Sequence, residues 1–164
     1  YLAESIHAAL YEEMDSIDRK IIELLAQDSR QALAVIGGAV GLSASAVNER
    51  IRRLSAQGAI RRFTVEADPQ AMGLPVLAFV WVALAQDADE SAFRRAMAAD
   101  LVVGECHHVT GGWSYLVKVR VASLAELETF LGSLKAEGYL ARSETVIALS
   151  SPVPDGHAPR AGAA

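Results

Sequence analysis

Residues Leu42–Val65 run LSASAVNERIRRLSAQGAIRRFTV. Ser43 suits a helix N-cap, because its hydroxyl can accept from an otherwise unpaired N–H of the first turn. Val47, Ile51 and Leu54 recur at i, i+4 and i+7, which puts them on one helical face. Ser45, Asn48, Glu49 and Arg52 then point the opposite way, with Arg50 and Arg53 at the flanks. Gly58 sits where a helix commonly stops, in a conformation that costs glycine little. Ile60–Val65 reads as a strand carrying Arg61 and Arg62. From Ser43 to Val65 five arginines face one acidic residue, a local charge of +4.

Upstream, Met14, Ile17, Ile21, Leu24 and Leu25 form the stripe of a helix over 14–27, with Asp15 and Asp18 in the first turn, where carboxylates suit the helix dipole. Residues 28–30 break it. Leu33–Val40 is a second, short helix despite Gly37 and Gly38, each costing about 1 kcal/mol against alanine; small residues there suit the close approach of another helix. Gly41 ends it. Three helices with a tight turn between the second and third make a helix-turn-helix, and the strand after them makes a wing.

Downstream, Glu66–Leu74 is a connector punctuated by Asp68-Pro69 and Gly73. PVLAFVWVAL (75–84) is a strand buried on both faces, or on one face and in a subunit interface. A helix over Asp87–Ala99 and a strand over Leu101–Val109 follow. After Gly111-Gly112, Ser114–Val121 is a strand with Tyr115, Val117, Val119 and Val121 on one face. Ser123 and Glu126 open a helix with Leu124, Leu127, Leu131 and Leu134 inward. Ser143–Leu149 is a fourth strand. The order β-α-β-β-α-β predicts one antiparallel sheet with two helices on one face, and a partner subunit to cover the other. The predicted fold class is therefore α+β. Its parts are an N-terminal extension (1–13), a winged helix-turn-helix domain (14–65), a hinge (66–74), a ferredoxin-like sensing and oligomerisation domain (75–150) and a flexible tail (151–164).

Composition sets bounds on function. The 164 residues suit one medium or two small domains. No apolar run approaches the roughly 18 residues that span a bilayer. A single cysteine excludes an intrachain disulfide framework and fits a reducing cytoplasm. The net charge is −5, yet it is −3 over residues 1–14, +3 over 15–64 and −5 over 65–164. Positive charge collects where a phosphate-facing module would need it.

Four stretches then resemble the Lrp/AsnC family of feast/famine transcriptional regulators. They are Asp15–Ile21; Gly41–Leu54 with Gly58-Ala-Ile60; Asp68-Pro69 with Gly73; and Val109-Thr110-Gly111 before Tyr115–Val119, with Ser143-Glu-Thr145. The resemblance covers about residues 14–150. It implies a regulator that binds double-stranded DNA, dimerises through its sheet, assembles dimers into larger rings and responds to an amino acid or related metabolite. It implies no catalytic residue, metal or cofactor. The family usually carries Asp where Ser114 stands, so the ammonium of an amino-acid effector loses a charged partner, which points to a different effector or none.

The candidate DNA-binding residues are Ser43, Ser45, Asn48, Arg50, Arg52, Arg53, Arg61 and Arg62. Ser45, Asn48 and Arg52 are placed to read base edges; Arg53, Arg61 and Arg62 to hold phosphates. For Arg50 an ion pair to Asp18 and a phosphate contact stand level. The candidate effector residues are Gly111, Gly112, Trp113, Ser114, Ser143 and Thr145. Cys106-His107-His108 brings at most two metal ligands together, because neighbours on a strand face opposite ways. Two rival readings are a tetrapyrrole-modifying enzyme of the sirohaem decarboxylase type, using His107 or His108, and a ligand-binding assembly protein without DNA readout.

Overall fold

The computed structural model describes residues 14–152; the expected extension at 1–13 and all but the first two residues of the expected tail lie outside them. The chain divides into two compact units after Val65.

In the described part of the first unit, α1 (Ser16–Gln27), α2 (Leu33–Val40) and α3 (Ala44–Ala56) are the three helices read from the sequence. Asp15 caps α1 through its carboxylate, which accepts from the Asp18 N–H at 2.7 Å. Ser43 caps α3 by accepting from Ala46 N–H at 3.2 Å. Ile21, Ile36 and Val47 are fully buried where the helices meet, with Ile17, Leu24, Leu25, Leu33 and Ile51 packed around them. Each such side chain stabilises by about 1.5–3 kcal/mol. A core this small leaves little surplus over chain entropy, so its polar contacts matter.

Two expectations for this unit change. The Ile60–Val65 segment is not a strand. A strand exists by its ladder, and no described strand of this unit offers it a partner; Phe63 and Val65 are 54% and 86% exposed. The wing is thus an exposed, basic segment without regular secondary structure. Of the glycine pair in α2, Gly37 serves the turn rather than a neighbouring helix, and Gly38 serves neither. A Cβ on Gly37 would run into the Leu42 carbonyl oxygen, whereas one on Gly38 would meet open space. Leu42 N–H also donates to the Gly37 carbonyl at 2.9 Å. Gly37 therefore sets how closely the chain folds back between α2 and α3.

In the second unit, Asp68–Leu74 is a set of turns, opened by Asp68 Oδ1 accepting from Gln70 N–H at 2.9 Å. Then come β1 (Val76–Leu84), α4 (Glu90–Ala99), β2 (Val103–His108), β3 (Tyr115–Val121), α5 (Leu124–Ala136) and β4 (Leu140–Ile147). The sheet order is β2-β3-β1-β4, with every neighbouring pair antiparallel. This is the βαββαβ arrangement read from the pattern. Ala78, Val80 and Val82 of β1 and Val117, Val119 and Val121 of β3 are fully buried, packed with Phe93 and Met97 of α4 and Leu127, Phe130 and Leu134 of α5. The opposite face carries half-buried Phe79, Trp81 and Leu116.

Element ends shift for local reasons. Asp89, not Asp87, caps α4 by accepting from Ala92 N–H at 2.9 Å. Leu101 lies in a turn and is wholly exposed, so β2 starts later than its apolar residues suggest. β4 starts earlier, at Leu140, because Leu140 pairs with Leu84 across a bulge; it stops before Leu149, which is 99% exposed. Leu124 is 59% exposed at the first turn of α5, and Phe130 takes the inward place.

Chemical denaturation checks the glycine assignment. Gly37→Ala is expected to cost about 1–3 kcal/mol through overpacking. Gly38→Ala is expected to be neutral or to stabilise by up to about 1 kcal/mol.

Candidate nucleic-acid interface and sensing turn

The helix of the opening stretch is anchored by charge as well as by apolar contact. Asp18 is fully buried on α1. Its Oδ1 accepts from Arg50 Nη1 at 2.8 Å and its Oδ2 from Arg53 Nη2 at 2.6 Å, both from α3. Arg50 Nη1 also donates to Asp15 Oδ2 at 2.7 Å. A buried carboxylate without partners would cost several kcal/mol, so Asp18 fixes the two arginines and with them the rotation of α3. The Asp18 backbone N–H, and then the Arg50 guanidinium, hold the Asp15 carboxyl below the usual aspartate range. Hydrogen bonds to Asp18 and Asp15 raise the Arg50 guanidinium, which stays charged.

The geometry thus gives Arg50 to the ion pair. It also gives Arg53 an ion-pair partner that its place on the helix did not reveal. Arg50 and Arg53 are three residues apart on the edge of α3 that meets the α1 N-terminus, and Asp18 already neutralises part of Arg53, whose side chain is 46% exposed.

Beyond that edge, Ser43, Ser45, Asn48, Glu49 and Arg52 are all exposed, while Val47 and Leu54 on the other face are buried. Ser43 Oγ and Ser45 Oγ are 3.0 Å apart and hydrogen-bonded. Arg52 lies 3.8 Å from Glu49, with both side chains about three-quarters exposed; such a pair contributes little and opens readily. A guanidinium at Arg52 can meet guanine O6 and N7, and an amide at Asn48 adenine N6 and N7. Arg61 and Arg62 are exposed on the irregular segment that follows.

The glycine turn of the second unit is built into the sheet. Ser114 N–H donates to the Val82 carbonyl at 2.8 Å, and Val109 N–H to the Ser114 carbonyl at 3.1 Å. Ser114 Oγ accepts from Leu84 N–H at 3.1 Å, next to the bulge at Ala83/Leu84. The residue standing in place of the family's Asp thus has a backbone partner in its own chain. Arg142, which the sequence reading passed over, closes the turn. Its Nη2 donates to the Gly112 carbonyl at 2.9 Å, and its guanidinium lies 4.2 Å from the Trp113 ring centroid. A cation beside Ser143 on a strand facing the glycine turn was the available signal. Trp113 packs on Trp81, on the open face, with centroids 6.3 Å apart.

Ser143 and Thr145 stand opposite Val82 and Val80 in the ladder, on the face the helices cover. The six candidate effector residues are therefore split between two faces of the sheet. His107 and His108 also diverge. His107 Nε2 lies 2.9 Å from Glu105 Oε2, whereas His108 stacks on Tyr115. Among the described residues no group of three or more His, Cys, Asp or Glu is placed to hold a metal ion.

Comparison with known proteins covers both units. The model of the AsnC-type helix-turn-helix domain matches residues 14–55, and that of the Lrp/AsnC ligand binding domain matches residues 77–157. The transcriptional regulator FL11 of Pyrococcus horikoshii is 34% identical over 139 residues, spanning 84% of this chain and 91% of that protein. The leucine-responsive regulatory protein of Escherichia coli is 34% identical over 122 residues, spanning 73% and 74%. The crystal structure of the leucine response regulatory protein LrpA of Mycobacterium tuberculosis aligns with a TM-score of 0.76 at 33% identity, over 88% of this chain and 99% of that one.

The ion cluster predicts an acid-sensitive first unit. A depressed folded pKa makes the Asp15 contribution complete above the ordinary aspartate value and lost as pH falls through the folded one. Asp15→Asn is expected to lower stability at neutral pH and to flatten its decline below about pH 4. Glu90 and Glu105 are also lowered and titrate alike in variant and parent. Asp18→Ala is expected to cost about 2–4 kcal/mol at neutral pH. Denaturation followed by circular dichroism across pH checks both.

Proposed function

The chain belongs to the Lrp/AsnC family of helix-turn-helix transcriptional regulators, and from that membership we propose how its surfaces divide the work. It is a DNA-binding regulator. The observation that carries the residue assignment is the outward face of α3, where Ser45, Asn48 and Arg52 are exposed while Val47 and Leu54 anchor the opposite face. In this reading Arg52 and Asn48 choose the sequence from the major groove, with Ser45 beside them, and Ser43 presents the helix N-terminus to the backbone. Arg61 and Arg62 hold phosphates from the irregular segment, and Arg53 adds only the part of its charge that Asp18 leaves. Arg50 belongs to the clamp.

Two copies, joined through the open sheet face, would set two recognition helices into successive major grooves of a pseudo-palindromic site. Half-buried Phe79, Trp81 and Leu116 support that face as the dimer surface, and membership of the family supports assembly of dimers into higher oligomers. An amino acid or related metabolite held at the Gly111–Ser114 turn would favour one assembly over another. Ser114, spent on Leu84 N–H, supports an effector that does not depend on an ammonium contact there. Among the described residues no helix is long and apolar enough to cross a membrane. The cytoplasm, where the chromosome lies, is the proposed place of work.

Gel shifts on the DNA upstream of the chain's own gene test the residue roles. Arg52→Ala is expected to reduce the preference for that DNA over unrelated DNA, at about 1–3 kcal/mol per lost base contact. Arg61→Ala with Arg62→Ala is expected to weaken binding to every sequence and to reduce the salt slope by about 2. Unchanged binding in both variants would overturn the assignment. Trp81→Glu is expected to lower the mass seen in sedimentation by placing a charge in the sheet interface.

A further inference from the structure

A cleft of about 540 Å³ lies between α4 and β2, lined in part by Arg94, Met97, Val103, Cys106, His108 and Tyr115. That volume lies in the range of small-molecule sites. None of the residues assigned above to DNA or to the glycine turn lines it. Its floor is apolar, with Met97 only 3% exposed and Val103 half-buried beside it. Its wall is aromatic: the His108 and Tyr115 rings stack with centroids 5.0 Å apart and planes inclined by 30°.

The polar groups at the rim are held in place. Arg94 Nε donates to Tyr115 Oη at 2.5 Å, and its Nη2 donates to Glu90 Oε1 at 2.7 Å. Tyr115 Oη donates to the same Glu90 oxygen at 2.6 Å. This triangle fixes the guanidinium plane at the mouth and leaves Nη1 outside all three bonds. It also engages Glu90 Oε1 twice. Glu105 contributes lining but turns its carboxylate to Lys118 Nζ at 2.7 Å and to His107, which face away with the open side of the sheet. Burial pushes the Cys106 thiol up, so no thiolate opposes an anion.

A fixed guanidinium, an imidazole, a stacked aromatic wall and an apolar floor make a complementary set. A carboxylate can accept from Arg94 Nη1 and the His108 ring N–H, while a flat or branched apolar body fills the space over Met97 and Val103. A cation would meet Arg94, and a neutral apolar molecule would leave it unused. We propose that the cleft between α4 and β2 is a second small-molecule site of this regulator, for a monocarboxylate with an apolar body. The site is separate from the glycine turn and independent of DNA.

Calorimetric titration of the full chain with sodium phenylacetate, in the absence of DNA, tests it. The expected result is saturable binding in the micromolar to millimolar range. Arg94→Gln is expected to weaken it at least about tenfold, the worth of a charge-assisted hydrogen bond. Ala98→Phe, on the exposed surface of α4 beside the cleft, is expected to fill the space and abolish binding while the fold stays intact. Phenylethylamine is expected not to bind. The proposal is overturned by no saturable phenylacetate binding, by equal binding of phenylethylamine, or by Ala98→Phe and Arg94→Gln binding as the parent does. None of these results bears on the DNA contacts of α3, which gel shifts read separately.

Discussion

The helical unit depends on a carboxylate with no exposed surface. Asp18 sits between α1 and α3, satisfied by Arg50 and Arg53 at hydrogen-bond distance. Because a buried charge is costly to leave unpaired, the two arginines must stay where Asp18 holds them. They lie on the same helix as Asn48 and Arg52, so their fixation also fixes which way the reading face turns. The apolar contacts of Ile21, Ile36 and Val47 bring the helices together without direction; the ion cluster supplies direction. The arrangement neutralises part of the positive charge of α3 and leaves Asn48 and Arg52 outside the clamp.

The sensing unit rests on a different constraint. Its sheet is filled on one face by α4 and α5 and carries half-buried aromatic and aliphatic residues on the other. Trp81, Trp113 and Arg142 connect that open face to the glycine turn through ring packing and a cation over an aromatic ring. A change at the turn and a change at the face are therefore changes in one group of contacts. The regulator reading needs such a link between a ligand and an assembly state. On the covered side, the Arg94–Tyr115–Glu90 triangle is as firmly built as the turn, which is why the cleft beside it can hold a preformed polar rim.

Several features lay open in the sequence because they are local. Helical periodicity placed α1, α2 and α3, and alternation on β3 named Tyr115, Val117, Val119 and Val121 as the buried face. Ser43 was legible as a cap because capping is a matter of a few neighbouring residues. What the one-dimensional pattern left open was what needed a partner. Ile60–Val65 has strand composition, but a strand is made by the chain beside it. Gly37 and Gly38 look alike in sequence, yet only Gly37 lies under the Leu42 carbonyl. Arg53 reads as a surface cation until Asp18, 35 residues away, is placed against it. Ser143 and Thr145 were grouped with the turn as effector candidates, and ladder register sets them on the opposite face from Trp113.

The sequence by itself determined the class of protein: the spacing across Gly41–Leu54, the charge split along the chain and the βαββαβ order are one-dimensional patterns, and periodicity and capping act over a few residues. The tertiary structure alone decided which arginines are paired with a buried carboxylate, which glycine is required, what Ser114 does with its hydroxyl and that a cleft of small-molecule size lies beside Arg94. Each of these is set by a distance between groups far apart in the chain, and such distances exist only once the backbone has closed on itself.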